Sequence, residues 1–264
     1  MDMHRLITIA FSHYNEKARW ALERFGVQYV EEAYMPMFHA VGVLKLAPRY
    51  GVGKATKHSS PLATPVLVTD DDRCIRGSAA ILHDLSDRFA TPGRDLYPTS
   101  EAAELEERFS NGLGPDTRRI AYLHLLEDAA GMSALASANV GRGQAWLFRR
   151  CQPIVRWFVG TRLGITPGRA KRALDRVRSE FAEFSDRLRG REFLVGNRFT
   201  AADLAFACMV APIILPSRDD GYGAALPSLA QCSAEYQGIV RELRATEAGA
   251  FALRMFREHR RARG

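Results

Sequence analysis

Four residues near the start of the chain, Ser12-His13-Tyr14-Asn15, have types and a setting suited to stabilising an anion. Before them, residues 6–10 (Leu-Ile-Thr-Ile-Ala) read as a buried strand. After them, Tyr14, Ala18, Ala21, Leu22 and Phe25 fall on one face of a helix that Gly26 ends. A strand-to-helix turn gathers unpaired backbone amides and the positive end of the helix dipole, which together favour a bound anion. Ser12 offers a hydroxyl and Asn15 an amide that can donate to it, although either also serves as an ordinary helix cap. His13 reads as an exposed turn residue able to orient a ligand. Tyr14 lies on the apolar face, where it packs or lines a substrate pocket.

The elements that must position this turn follow in order. Val27 to Tyr34 extends as a second strand, and residues 35–63 are expected to be irregular. Thr64-Pro65-Val66-Leu67 places a proline at the head of a strand, where it has no amide to give the ladder and where a cis bond would bend the chain sharply. Asp70-Asp71-Asp72 turns the chain into Cys74-Ile75-Arg76 as a hairpin partner. Gly77-Ser78 then opens a helix with Ile81, Leu82, Leu85 and Phe89 inward. The order is βαβ, a loop-rich crossover, then ββα.

Beyond a linker at 90–99, strand patterns stop. Helices are expected near 101–130, 142–160, 200–213 and 234–258, with a kink or split at Gly112-Leu113-Gly114-Pro115. Ala170, Ala173, Leu174, Val177, Phe181, Phe184 and Leu188 form a clean helical stripe. In Phe199-Thr200-Ala201-Ala202-Asp203-Leu204, Thr200 and Asp203 fit a capping box, with Phe199 and Leu204 placed for a hydrophobic staple.

Taken together, the turn at Ser12, the Thr64-Pro65 pair, the helix led by Ser78 and the run from Phe199 to Leu204 resemble the cytosolic glutathione transferase superfamily over nearly the whole chain. The resemblance implies a thioredoxin-like glutathione-binding domain at 1–90, a linker at 91–100 and an all-α domain at 101–264. It implies a cis Pro65 after Thr64, the Val66 backbone pairing with the cysteinyl part of glutathione, and Ser78 with its helix amides holding the γ-glutamyl carboxylate. It also implies glutathione as co-substrate, no metal, and a homodimer. Gly77 stands where the family usually carries an acidic residue or glutamine. Lys54, Lys57 and His58, in the long 35–63 segment, are candidates for the glycyl carboxylate or simply for loop solubility. Gly53-Lys54 is not a phosphate loop, because Ala55 follows it and Pro48 occupies the upstream glycine position.

The implied chemistry is attack of the glutathione thiolate on an apolar electrophile, in the service of detoxification. A free thiol is only about 3% ionised at pH 7, and lowering its pKa by roughly two units needs about 2.7 kcal/mol. A helix N-terminus supplies about 0.3–1 kcal/mol, and one hydroxyl donating to the anion about 1.5–3 kcal/mol. Ser12 combines both and is the leading position, with Asn15 the rival. The absence of cysteine from the turn argues against disulfide exchange. The alternatives are a non-catalytic ligand-binding or assembly protein of this fold, which Gly77 favours, and a glutathione-dependent dehalogenase, ether-cleaving enzyme or peroxidase. Tyr122, Trp146, Phe148, Trp157 and Phe158 are candidates for the electrophile pocket or for ordinary core. The stretch 146–165 also mixes aromatics with Arg149, Arg150, Arg156 and Arg162, as a membrane-surface helix would, but Pro153 reads as a break in it.

Composition closes off other classes. The four cysteines and seven histidines fit no zinc or redox spacing. No apolar run is long enough to span a membrane, and the N-terminus lacks a signal-peptide pattern, so integral membrane association is not expected and a cytoplasmic location is. Arg254, Arg257, His259, Arg260, Arg261 and Arg263 crowd the end of a chain of net charge +7. They read as a solvated tail, and the mixed charges elsewhere give no nucleic-acid footprint.

Overall fold

The structure is a computed structural model that describes residues 3–55 and 60–260. Lys57, His58, Arg261 and Arg263 lie outside the described residues. A small mixed sheet with helices comes first and an all-helical part follows, a thioredoxin-like half joined to a helical one.

The sheet has the order β2-β1-β3-β4, formed by β1 (His4–Ile9), β2 (Tyr29–Tyr34), β3 (Val66–Val68) and β4 (Cys74–Arg76). β2 runs parallel to β1, and β3 and β4 are antiparallel to their neighbours. The period of two divides the apolar residues between two faces. Leu6 and Leu67 join the main core beneath α1 (His13–Arg24) and α3 (Ser78–Phe89), while Ile7, Val66 and Val68 pack with Val43 and Leu46 on the other side.

Those last two residues belong to α2 (His39–Tyr50), a helix inside the segment expected to be irregular. Gly42 and Pro48 disguise it in the sequence. Gly42 is there for close approach, since a Cβ would stand 2.5 Å from a Tyr34 ring carbon. Pro48 falls in the last turn.

The helical part begins with α4 (Ser100–Arg108), a π-helical turn over Phe109–Leu113, and α5 (Gly114–Leu125). The expected break at 112–115 is thus a widening within one helical run, with Pro115 just past the π-helical turn. Then come α6 (Ala129–Asn139), α7 (Arg142–Leu163), α8 (Pro167–Leu188) and α9 (Ala201–Ile214), followed by α10 (Ala234–Arg244), α11 (Glu247–Met255) and a π-helical end, Phe256–Arg260. The capping box at the start of α9 forms: the Thr200 amide donates to Asp203 Oδ2 at 2.7 Å, and the Leu194 amide donates to Oδ1 at 2.8 Å. Burial pushes the Asp203 carboxyl up to about 6. α9 is buried all round and forms the central post of the helical part, packed against α1, α4, α5 and α11.

Two expectations need correction here. α7 runs unbroken through Pro153. The described part of the basic end, up to Arg260, docks instead of fraying: Arg260 is buried and pairs with Glu16 and Glu23, Arg257 pairs with Asp220, and Trp20 Nε1 donates to the His259 carbonyl at 3.1 Å.

Candidate functional site

The turn between β1 and α1 is held by its own carbonyls. Three consecutive ones accept from three different side chains: Ile9 from Asn15 Nδ2 at 3.1 Å, Ala10 from Arg19 Nη2 at 2.6 Å, and Phe11 from the Tyr222 hydroxyl at 3.2 Å. Arg19 is fixed in turn by Glu16 and Glu31. Glu16 is fully buried and also accepts from Arg260 Nε at 2.7 Å and the Gly223 amide at 3.1 Å. Burial alone would raise the Glu16 carboxyl, but Arg260 and Arg19 outweigh it and hold the group below its ordinary value. Arg19 and Tyr222 carry no local motif in the sequence; folding alone brings them to the turn.

Ser12 is the N-cap residue of α1, and its side chain makes no capping bond. Among the described residues its hydroxyl has no hydrogen-bond partner, so it remains available beside the first amides of the helix. Asn15 is placed differently. Its Nδ2 donates to Ile9 O and, at 3.3 Å, to Thr64 Oγ1, which uses both amide hydrogens. Asn15 therefore ties the turn to the proline loop and has no hydrogen left for a thiolate.

The Thr64–Pro65 bond, in the loop that Asn15 ties to the turn, is cis. Val66 begins β3 and has strand neighbours on both sides, Ile7 and Arg76. Just before Pro65, the Thr64 amide and carbonyl have no partner among the described residues.

Gly77 joins the proline loop to α3, its amide donating to the Pro65 carbonyl at 2.9 Å. Its φ of 88° is a conformation open to glycine, while the space around an added Cβ would be free. The missing acidic residue at this position thus has a backbone cause. Ser78 starts α3, whose first turn carries no acidic residue and whose N-terminus lacks a side-chain cap, which leaves an end suited to an anion. Next to it, Arg76 Nη2 donates to Gly51 O at 2.7 Å, while Nη1 is buried without a partner among the described residues. Lys54 is exposed on the loop beyond Gly53 and forms no ion pair among the described residues.

The helical part roofs the turn. A Cβ on Gly114 would stand 2.7 Å from Tyr14 Oη, so only glycine lets α5 come this close. The Tyr14 hydroxyl donates to Ser110 O at 2.7 Å, and burial pushes it up to about 12. His13 is buried, contrary to the exposed position expected, because this roof covers it. Burial, reinforced by the Arg118 charge, lowers its imidazole to about 3, and its Nε2 has no partner among the described residues. Arg118 lies over the Tyr14 ring at 5.7 Å and has no carboxylate partner among the described residues. It shares a face of α5 with half-buried Tyr122, four residues on, a spacing that marks both in the sequence. Trp146, Trp157 and Phe158 do not line this roof or the core: they are exposed on α7, and only Phe148 is buried.

The family described as "Glutathione S-transferase, C-terminal domain" matches residues 167–230. A glutathione S-transferase of Ceriporiopsis subvermispora in complex with glutathione superposes at a TM-score of 0.61 and 16% identity, over 98% of each chain. A glutathione transferase of Phanerochaete chrysosporium with oxidized glutathione superposes at 0.54 and 14% identity, over 98% of this chain and 96% of its own. A glutathione S-transferase from Rhodospirillum rubrum gives 0.55 and 16% identity, over 97% and 99%. No curated protein sequence matches the chain. Residues 167–230 thus resemble the glutathione S-transferase C-terminal domain, and the chain folds, along nearly its whole length, as the glutathione transferases do.

Proposed function

We propose that this protein binds glutathione across the Thr64–Pro65 loop and joins its sulfur to an electrophile, with Ser12 stabilising the thiolate. The observation that carries the reading is the free Ser12 hydroxyl at the start of α1, in a turn that Asn15 ties to the cis-proline loop. The residues fit the ligand. Thr64 can pair with the cysteinyl backbone, Ser78 and the α3 amides can hold one carboxylate, and the unpartnered Arg76 Nη1 can meet another.

In the reaction, the thiol proton leaves to solvent and the Ser12 hydroxyl donates to the sulfur. The thiolate attacks carbon, a C–S bond forms, and the leaving group departs with its electron pair. His13, held near 3, is too weak a base to take the proton at neutral pH. Tyr14 and Tyr122 give the electrophile side its aromatic wall, and Arg118 gives it a cation that favours electrophiles with an anionic group. We place the division between the glutathione-binding and helical domains at the 91–100 linker.

Thermal melting with and without glutathione tests the binding step. A ligand at 100 times its dissociation constant should stabilise the fold by about 2.7 kcal/mol. No shift at millimolar glutathione would overturn the proposal.

A further inference from the structure

Among the described residues, the outer face of α7 gathers five of the exposed large apolar side chains. Trp146, Leu147, Ile154, Trp157 and Phe158 are 53%, 42%, 60%, 70% and 41% exposed. At 100° per residue they share an arc of about 120°, opposite the buried Ala145, Phe148, Val155 and Val159. Single exposed apolar residues are ordinary; five on one helix face, two of them tryptophans, mark an interaction surface.

The charges say what it meets. Residues 129–163, which form α6 and α7, contain five arginines and no acidic residue, and so hold five of the chain's net seven positive charges. Arg142, Arg149 and Arg156 flank the apolar arc on one side and Arg162 on the other, while Arg150 lies over the Trp146 ring at 5.4 Å. None of the five has a carboxylate partner among the described residues. A cavity of about 290 Å³ beside the helix repeats the pattern, with Leu126, Met132, Phe148 and Val155 inside and Arg149 and Arg156 at its edge.

We propose that α7 docks this protein on an anionic lipid bilayer, lying in the plane of the interface. Guanidinium groups flanking an aromatic strip suit phosphate headgroups above an apolar boundary. A second copy of the chain fits poorly, because a symmetric contact would set arginines against arginines. No helix among the described residues is long and apolar enough to cross a membrane, so the attachment is peripheral. The helix is firmly mounted for this. Gln144 accepts from the Met35 amide at 2.6 Å and donates to Ala33 O at 3.3 Å, and Phe148 packs against Phe38.

Tryptophan fluorescence and vesicle co-sedimentation of the full chain test the proposal. Two of the three tryptophans lie on this face and the third, Trp20, is fully buried, so emission reports the face directly. Phosphatidylcholine vesicles containing phosphatidylglycerol should bind the protein, shift its emission to the blue and release it at high salt. Pure phosphatidylcholine should bind far less. An R150Q/R156Q variant, altered only at exposed positions, should keep its melting temperature and bind anionic vesicles about 25-fold more weakly, at about fivefold per arginine. Failure to bind anionic vesicles, or equal binding to both lipids, would overturn the proposal. So would a lipid-free dimer that buries the two tryptophans.

Discussion

Removing the Ser12 hydroxyl subtracts one hydrogen bond to a charged sulfur and leaves the helix end in place. Ser12→Ala is expected to lower kcat/KM for glutathione conjugation by about tenfold to a hundredfold. Asn15→Ala acts differently, because its amide is spent on Ile9 O and Thr64 Oγ1. It should lower thermal stability and weaken glutathione binding while leaving the pKa of the bound thiol nearly unchanged. His13 makes a separate prediction. Its imidazole is lowered from its ordinary value to about 3, so its neutral form is the folded one. The stability that this confers is complete above about pH 6.5 and is lost as pH falls toward 3. A His13→Asn variant should therefore lose part of the wild-type fall in stability between those limits, read from denaturant unfolding at each pH. Between pH 6 and 9, its activity profile should match the parent's. At Arg118, replacement by Gln should raise KM about tenfold for a carboxylate-bearing electrophile and leave KM for a neutral one unchanged.

At the scale of elements, α1 is tied to both halves of the molecule by buried charge. Lys17 is fully buried, ion-paired with Glu106 on α4, and donates to Ser110 Oγ at 2.8 Å. Burial would raise the Glu106 carboxyl, but Lys17 outweighs it and keeps the group below its ordinary value. Glu106→Gln strands the ammonium and should cost about 3–5 kcal/mol in unfolding free energy, part of which a Lys17→Met change in the same chain should restore. Gly77→Ala should cost about 1–3 kcal/mol through backbone strain alone, given its φ of 88° and the open space around it. These elements differ in how far the sequence announces them. The apolar run from Leu6 to Ala10, the stripe on α8 and the Thr200–Asp203 cap are local patterns, and each forms as its pattern implies. α2 was hidden because Gly42 and Pro48 look like breakers until Tyr34 and the sheet are beside them. The Ser12 hydroxyl could be placed from its own turn. Its supports, Arg19 and Tyr222, could not, since Tyr222 lies more than two hundred residues away and reaches Phe11 O only in the folded chain.

For the molecule as a whole, the described end of the chain is part of the machinery of its beginning. Arg260 pairs with Glu16, Glu16 with Arg19, and Arg19 holds the Ala10 carbonyl two residues before Ser12. A Cys-free turn braced in this way suits a fixed hydrogen-bond donor rather than a redox pair. The same body mounts α7 on the segment after β2, with its arginine-flanked face turned to solvent. The most direct test of the account is ultraviolet difference titration of the glutathione complex against pH. It predicts thiolate absorbance that appears roughly two units below the ordinary thiol value near 8.5, and that moves back toward that value in Ser12→Ala but not in Asn15→Ala. A bound glutathione whose thiol titrates at its ordinary value, or one whose pKa is indifferent to Ser12, would contradict it.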